Sequence, residues 1–102
     1  MTDEVQNIKD KITPILKEQE FVLRASLFGS FARGDNNTES DVDILIKISK
    51  PIDLLDFFDL REKLEEVLSK KVDLVSEDAV VSHFHDYIYK DLIQLYQDEK
   101  QG

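Results

Sequence analysis

The stretch GSFARGDNNTESDVDIL, which runs from Gly29 to Leu45, joins a glycine-containing turn to a short acidic strand. Ten residues separate Ser30 from Asp41, and Asp43 follows two positions later. Successive side chains of a strand point to opposite faces, so Asp41 and Asp43 are predicted to share one face, about 7 Å apart at Cα. Paired carboxylates suit magnesium, and a glycine turn that opens a helix offers backbone N–H groups to phosphate. The stretch therefore predicts magnesium–nucleotide chemistry.

The positions between and after these carboxylates are apolar. The alternating set that is expected to point into a hydrophobic core consists of Val42, Ile44, Ile46 and Ile48. A strand anchored in this way would hold its carboxylates rigidly on the wet face, as a metal site requires.

The spacing of these residues has the form G-S-x10-D-x-D, filled by Gly29, Ser30, Asp41 and Asp43. It resembles the signature of the nucleotidyltransferase superfamily that includes polymerase beta. Within that superfamily, the chain is most similar to the minimal nucleotidyltransferases that pair with HEPN-domain proteins in prokaryotic toxin–antitoxin modules. The resemblance extends from the first helix to the third strand, roughly three quarters of the chain. The flanking positions that also look like the family are Arg33, Gly34, Ser40 and Ile44-Leu45-Ile46.

This resemblance implies an α/β (α+β) nucleotidyltransferase fold, with a mixed sheet of three or slightly more strands flanked by helices. Residues 1–102 would form one domain. The implied reaction is transfer of AMP from ATP to a hydroxyl with release of pyrophosphate, assisted by two magnesium ions. The implied acceptor is a tyrosine of a partner HEPN ribonuclease toxin, so that the chain would act as an antitoxin in a hetero-oligomer with that partner.

A third carboxylate is expected, because two-metal transfer needs one more ligand and a base for the acceptor hydroxyl. Asp73 is the candidate, since it lies in a short β-branched run after a helix, at a place that resembles the family's third aspartate. The alternative is an ordinary exposed acid on a sheet face. Glu77 and Asp78 are fallback candidates, and both are also explained as cap residues of the following helix.

The nucleotide-binding residues implied by the resemblance surround the glycine turn. Gly29 and Ser30 would hold the β and γ phosphates, with Ser40 as a further nucleotide contact. Arg33 would offset charge on the leaving pyrophosphate. A structural salt bridge to a nearby acid explains Arg33 equally well.

Two other motifs share these residues and fail at specific positions. A P-loop starting at Gly29 would need Lys-Ser or Lys-Thr where the chain has Asp35-Asn36. An EF-hand loop starting at Asp35 would need glycine at Ser40 and glutamate at Ile46.

Composition limits the remaining function classes. The chain has 102 residues, 13 Lys and Arg against 22 Asp and Glu, a net charge of −9 and no cysteine. Such a charge repels phosphate backbones, so general nucleic-acid binding is not expected, whereas a basic protein partner would be attracted. The sequence has no apolar run that would suggest a membrane span or signal peptide, and a cytoplasmic location is expected.

Hydrophobic spacing predicts alternating helices and strands. A first helix would bury Val5, Ile8, Ile12 and Leu16, and strands are predicted at 21–28, 41–48 and 72–75. A helix with apolar positions from Leu54 to Val67 precedes the third strand. A final helix is predicted from the stripe formed by Val81, Phe84, Ile88, Leu92 and Leu95.

The final segment also carries aromatic and histidine residues. Tyr87, Tyr89 and Tyr96 supply aromatic area that a partner could cover. His83 and His85 are interpreted as surface or capping residues, because no third and fourth zinc ligands accompany them. Two alternatives to the implied enzyme stay open: an antitoxin that neutralises its partner by binding alone, and a nucleotidyltransferase that modifies a small molecule.

Overall fold

The chain folds as a four-stranded mixed sheet with helices on both faces, in a computed structural model that describes residues 2–98. The elements in chain order are α1 (Asp3–Lys17), β1 (Val22–Phe28), α2 (Gly29–Arg33), β2 (Val42–Ile48), α3 (Leu54–Leu68), β3 (Val72–Ser76), a 3₁₀ turn (Glu77–Ala79), α4 (Ser82–Tyr89) and β4 (Ile93–Gln97). The predicted α/β class and the predicted mixed sheet are confirmed.

The strand order across the sheet is β3-β2-β1-β4. β1 is antiparallel to both β2 and β4, whereas β2 and β3 are parallel and are joined through α3. A parallel pair requires such a crossover, which the stretch between Ile48 and Val72 provides. Asp53 begins α3 as its N-cap, where its side chain accepts a hydrogen bond from the backbone N–H of Asp56.

One face of the sheet packs against α1 and α3 and forms the main core. The helical spacing predicted for α1 is confirmed, since its four apolar positions are all buried. The largest fully buried side chains in the described part of the chain include Ile12, Leu16, Leu27, Ile44, Ile46, Leu60 and Leu64. This core fixes β2, the strand that carries the acidic pair.

The other face of the sheet is covered only in part. A small second cluster joins Phe28 and Leu45 of the sheet to Ile88 of α4. Polar and acidic side chains occupy the rest of this face near the start of β2 and β3. None of the helices within residues 2–98 is both long enough and apolar enough to cross a membrane.

The predicted final helix is wrong in its second half. α4 ends at Tyr89, and residues 93–97 form β4, which pairs with β1 antiparallel. Leu95 is buried as predicted, although it reaches the core from a strand. The physical reason is that Ile93 and Leu95 also fit a period of two, and the free edge of β1 supplies backbone hydrogen-bond partners that a short helix cannot match.

We expect Leu95→Ala to lower the free energy of unfolding by about 2–4 kcal/mol, because it leaves a cavity between β4 and the core. Gln94→Ala on the exposed side of the same strand should change it by less than about 0.5 kcal/mol. Chemical denaturation of both variants checks the prediction, and equal losses would contradict the strand assignment.

Candidate active site

The three predicted carboxylates lie at one end of the sheet, on the face opposite the main core. Asp41 immediately precedes β2, Asp43 lies within it, and Asp73 lies in β3. Asp43 and Asp73 are register partners on the parallel pair, so their side chains leave the sheet side by side. Asp41 and Asp73 are exposed and Asp43 is half-buried. The structure therefore places all three aspartates that the sequence singled out on one face, at one end of the sheet.

Gly29 makes room for one of these carboxylates. It follows β1 directly and has φ +73°, a conformation that favours glycine. A Cβ at Gly29 would overlap Oδ2 of Asp43 and lie 3.0 Å from its Cγ. The glycine turn and the acidic strand are therefore in contact, and the carboxylate of Asp43 lies over the bare backbone at the start of α2.

Ser30 lies in the first turn of α2, beside that contact. This five-residue helix closes at Gly34, whose φ is +85° and whose N–H donates to the carbonyl of Ser30 over 2.9 Å. The hydroxyl of Ser30 forms no hydrogen bond to any of residues 2–98. A phosphate oxygen placed here would meet that hydroxyl and the first N–H groups of the turn.

Arg33 forms the salt bridge to a nearby acid that was one of its two sequence-based interpretations, and its role toward the leaving pyrophosphate stays a prediction. Its Nε lies 3.1 Å from Oδ2 of Asp35, an exposed ion pair. The pKa of Arg33 is raised first by Asp35 and then by a hydrogen bond with the side chain of Tyr87. Its charge also acts on Asp43. Since exposed ion pairs contribute little free energy, the guanidinium can move from Asp35 to a phosphate at a small cost in free energy.

Ser40 has a role in the loop before β2. Its hydroxyl accepts a hydrogen bond from the N–H of Asn37 at 2.9 Å, and its own N–H donates to the carbonyl of Asn37 at 3.1 Å. These hydrogen bonds close the turn that immediately precedes Asp41. A direct contact between Ser40 and a nucleotide stays a prediction.

The fallback candidates, Glu77 and Asp78, are hydrogen-bonded to basic side chains elsewhere on the same face of the sheet. Glu77 accepts two hydrogen bonds from Arg24, at 2.7 and 2.8 Å, and Asp78 accepts one from Lys47 at 2.9 Å. They brace the 3₁₀ turn against β1 and β2. The hydroxyl of Tyr89 also donates to Glu77, which links α4 to this brace.

The predicted histidine pair is accounted for by ring contacts. The ring of His83 lies 4.3 Å from that of Phe84, and the ring of His85 stacks on that of Tyr89 at the same distance. Within residues 2–98, no three His, Cys, Asp or Glu side chains are already grouped closely enough to hold a metal ion.

The aspartates nevertheless suit magnesium in donor type and register. Their ligands are all oxygen, as magnesium prefers, and Asp41 and Asp73 are exposed and can rotate toward Asp43. The pKa of Asp43 is raised to about 6, first by burial and then by the negative charges of Asp73 and Asp41, against a lowering by Arg33. A cation among the three groups would relieve this repulsion.

A shallow groove of about 300 Å³ lies beside Asp73. Its lining residues are Asp41, Arg61, Glu65, Lys71, Val72 and Asp73. Sequence reasoning placed neither Arg61 nor Tyr87 near the site, because both come from helices whose approach depends on tertiary packing. For a basic group in the groove, the sequence offered one indication, which is that Lys71 lies two residues before Asp73.

We expect Gly29→Ala to lower the free energy of unfolding by about 3 kcal/mol, since it combines an unfavourable φ with a collision at Asp43. Gly34→Ala is the matched control, because its φ is also positive but its Cβ would meet no atom within 4 Å. The control should lose only about 1 kcal/mol. Chemical denaturation measures the free energy of unfolding of both variants. Calorimetric titration with manganese should show lost binding in Gly29→Ala alone. Similar results for the two variants would contradict the close contact between Gly29 and Asp43.

The raised pKa of Asp43 predicts a pH-dependent stability. The folded protein retains a proton on Asp43 up to about pH 6, whereas the unfolded chain releases it near 3.8. Asp43 ionises less readily in the folded protein than in the unfolded chain. The folded state therefore loses stability as pH rises between those two values. Asp43→Asn should then stabilise the metal-free protein more at about pH 7.5 than at about pH 4, by about 1 kcal/mol after solvent screening.

The measurement is urea denaturation in a chelator at both pH values. Asp10→Asn, on the exposed side of α1, controls for the loss of one negative charge. A gain for Asp43→Asn that does not depend on pH would contradict the proton-linked repulsion.

Comparison with known proteins agrees with this geometry. The family described as Polymerase beta, Nucleotidyltransferase matches residues 10–101. The Methanocaldococcus jannaschii protein MJ0435, named as a candidate protein adenylyltransferase, is 38% identical over 91 residues, which make up 89% of this chain and 97% of that protein. The protein adenylyltransferase MntA of Thermococcus cleftensis is 32% identical over 91 residues, covering 89% of this chain and 92% of MntA.

A solved structure shares the fold. One chain of the complex between a tri-AMPylated Shewanella oneidensis HEPN toxin and an MNT antitoxin superposes with a TM-score of 0.73, at 22% identity. The match covers 95% of this chain and 76% of that one. The family match spans nearly the whole sequence and includes all the aspartates described above. The chain belongs to the polymerase beta nucleotidyltransferase family.

Proposed function

We propose that this chain transfers AMP from ATP to a tyrosine hydroxyl of a partner HEPN-domain protein and thereby acts as its antitoxin. The register that sets Asp43 beside Asp73, with Asp41 on the same face, carries the proposal. The names of the relatives support it, since MntA is a protein adenylyltransferase and the solved complex pairs an MNT antitoxin with an AMPylated HEPN toxin.

The triphosphate would lie over the start of α2. Gly29 leaves room for the Asp43 carboxylate at the start of α2, and the hydroxyl of Ser30 is available to donate a hydrogen bond to the phosphates. Arg33 would exchange Asp35 for the leaving pyrophosphate and neutralise part of its charge. These three residues would bind and orient the nucleotide on the β1 side of the carboxylates.

The transfer step would take place above the paired strands. The acceptor oxygen attacks the α-phosphorus, a new phosphorus–oxygen bond forms, and the bond to the bridging oxygen of pyrophosphate breaks. Asp73 receives the proton of the acceptor hydroxyl. Two magnesium ions, with Asp41, Asp43 and Asp73 as ligands, would lower the pKa of that hydroxyl and neutralise charge on the phosphates.

The openness of the site supports a macromolecular acceptor. The groove beside Asp73, at about 300 Å³, lies at the low end of volumes that enclose a drug-sized ligand. It offers a small molecule few surrounding contacts. A folded protein can supply those contacts from its own surface, which favours a protein acceptor over a small-molecule substrate.

The decisive experiment measures the intact mass of a HEPN-domain protein after it is co-expressed with this chain. We expect added mass in units of AMP with the wild-type chain and none with Asp41→Asn, Asp43→Asn, because the variant loses two metal ligands. Asp3→Asn, Asp10→Asn on α1 is the control with the same change in charge.

The same experiment separates the alternatives. A partner that is bound and neutralised without added mass, by the wild-type chain and the site variant alike, would replace the proposal with neutralisation by binding. Loss of modification in the control as well would show that net charge, and not the carboxylate site, governs the reaction.

A further inference from the structure

Tyr87 is an exposed residue of α4 that lies beside the proposed phosphate site. Its side chain is 58% exposed, whereas the next residue, Ile88, is buried in one cluster with Phe28 and Leu45. Phe28 is the last residue before α2 and is also the register partner of Asp43. The burial of Ile88 therefore fixes α4 next to the point where β1 passes into α2, on the face of the sheet that carries the aspartates.

The side chain of Tyr87 contacts the guanidinium of Arg33. Asp35 has the largest effect in raising the pKa of Arg33, and a hydrogen bond with Tyr87 raises it further. A guanidinium has five N–H donors and no acceptor, so the hydroxyl oxygen of Tyr87 accepts this bond. The charge of Arg33 also lowers the pKa of Asp43. The guanidinium that Tyr87 holds therefore lies within electrostatic range of the proposed metal ligands.

The two partners of Arg33 differ in charge. Asp35 is a carboxylate whose Oδ2 lies 3.1 Å from Nε, so it neutralises the guanidinium as well as orienting it. Tyr87 offers a neutral phenol oxygen, which orients the guanidinium and leaves its charge available. A phosphate that takes the place of Asp35 would leave the hydrogen bond to Tyr87 intact. Tyr87 is therefore the partner that can keep its contact while a nucleotide is bound.

Arg33 receives little support from its own helix. α2 has five residues, Arg33 is the last of them, and the chain turns away at Gly34 with φ +85°. The side chain of Arg33 is 34% exposed. A long side chain loses rotamer freedom when it binds an anion, and this loss weakens binding. A hydroxyl that already holds the guanidinium removes part of that loss before the phosphate arrives.

We propose that Tyr87 is a positioning residue for the nucleotide, whose hydroxyl holds the guanidinium of Arg33 where it meets the β and γ phosphates of ATP. The inference rests on the proposed AMP transfer and adds to it a residue from α4 that prepares Arg33. It also gives α4 a part in nucleotide binding, although the helix does not cover the carboxylates.

Tyr89 provides a matched control on the same helix. Its hydroxyl donates to Oε1 of Glu77 at 3.4 Å, and not to Arg33. Glu77 keeps its two shorter hydrogen bonds from Arg24 when this hydroxyl is removed, and Ile88 still anchors α4. Tyr89→Phe therefore removes one phenolic hydroxyl from α4 while the helix and the contact at Arg33 stay in place.

The test is calorimetric titration of the full chain with magnesium-ATP. We expect Tyr87→Phe to weaken binding by about fivefold or more, because a hydrogen bond to a charged group is lost. Tyr89→Phe should bind as wild type does, and urea denaturation should show that both variants are folded. In an Arg33→Gln background, Tyr87→Phe should cause little further loss, since Tyr87 acts through Arg33.

A second measurement reports the positioning directly. In the chain saturated with magnesium-ATP, side-chain ¹⁵N relaxation should show a more mobile Arg33 in Tyr87→Phe than in wild type or in Tyr89→Phe. This readout does not depend on residual binding by the Arg33→Gln variants. An Arg33 of unchanged mobility in Tyr87→Phe would overturn the inference.

The titrations can also overturn it. Unchanged affinity in Tyr87→Phe would show that Arg33 binds without support, and an equal loss in Tyr89→Phe would show a general effect on α4. A full further loss in the Arg33→Gln background would show that Tyr87 meets the nucleotide itself. Failure of the proposed function is distinguishable, because a chain that binds magnesium-ATP with the expected pattern but transfers no AMP keeps the positioning role and loses only the transfer.

Discussion

The close approach of Asp43 to Gly29 is the constraint on which the site depends. β1 and β2 are antiparallel neighbours, with Phe28 opposite Asp43, so the residue after Phe28 must turn away beneath the carboxylate. Only a residue without Cβ leaves that space, and its positive φ starts α2 in the direction that brings Ser30 to the same place. One backbone position therefore sets the geometry of the proposed phosphate side and of the proposed metal side together.

The half-buried position of Asp43 costs stability, and the rest of the sheet offsets this cost. Ionising Asp43 is unfavourable because its carboxylate is partly buried and lies near Asp73 and Asp41, and these effects raise its pKa. The strand cannot escape the repulsion, because the residues on its other face are buried under α1 and α3. Mutual repulsion among the three carboxylates favours a cation between them, and Asp41 and Asp73 would rotate toward the more rigid Asp43 to hold it.

The parts that sequence could predict are those set by local spacing. The interval from Gly29 to Asp43 contains the short helix α2, a loop closed at Ser40 and the start of β2, so local spacing alone brings its two ends together. Asp73 could be named only as the acid of a short strand, because its pairing with Asp43 depends on a parallel crossover. β4 was predicted as helix because Leu95 fits both the helical and the strand spacing of apolar residues. Only the open edge of β1, with which β4 pairs, decides between the two structures. Arg61 gave no local signal, since α3 brings it to the groove from twelve residues away.

The second face of the sheet shows why so small a domain would rely on its acceptor for specificity. α4 covers one part of that face through Ile88, and the braces at Glu77 hold it there, so it does not extend over the carboxylates. Enclosing the site would need another layer of protein, but the described residues are already committed to two cores. An open site gains selectivity when the substrate itself closes it, because the contacts that complete the site form only with the correct substrate in place. The proposed protein acceptor would therefore complete the site that the two cores of this fold leave open.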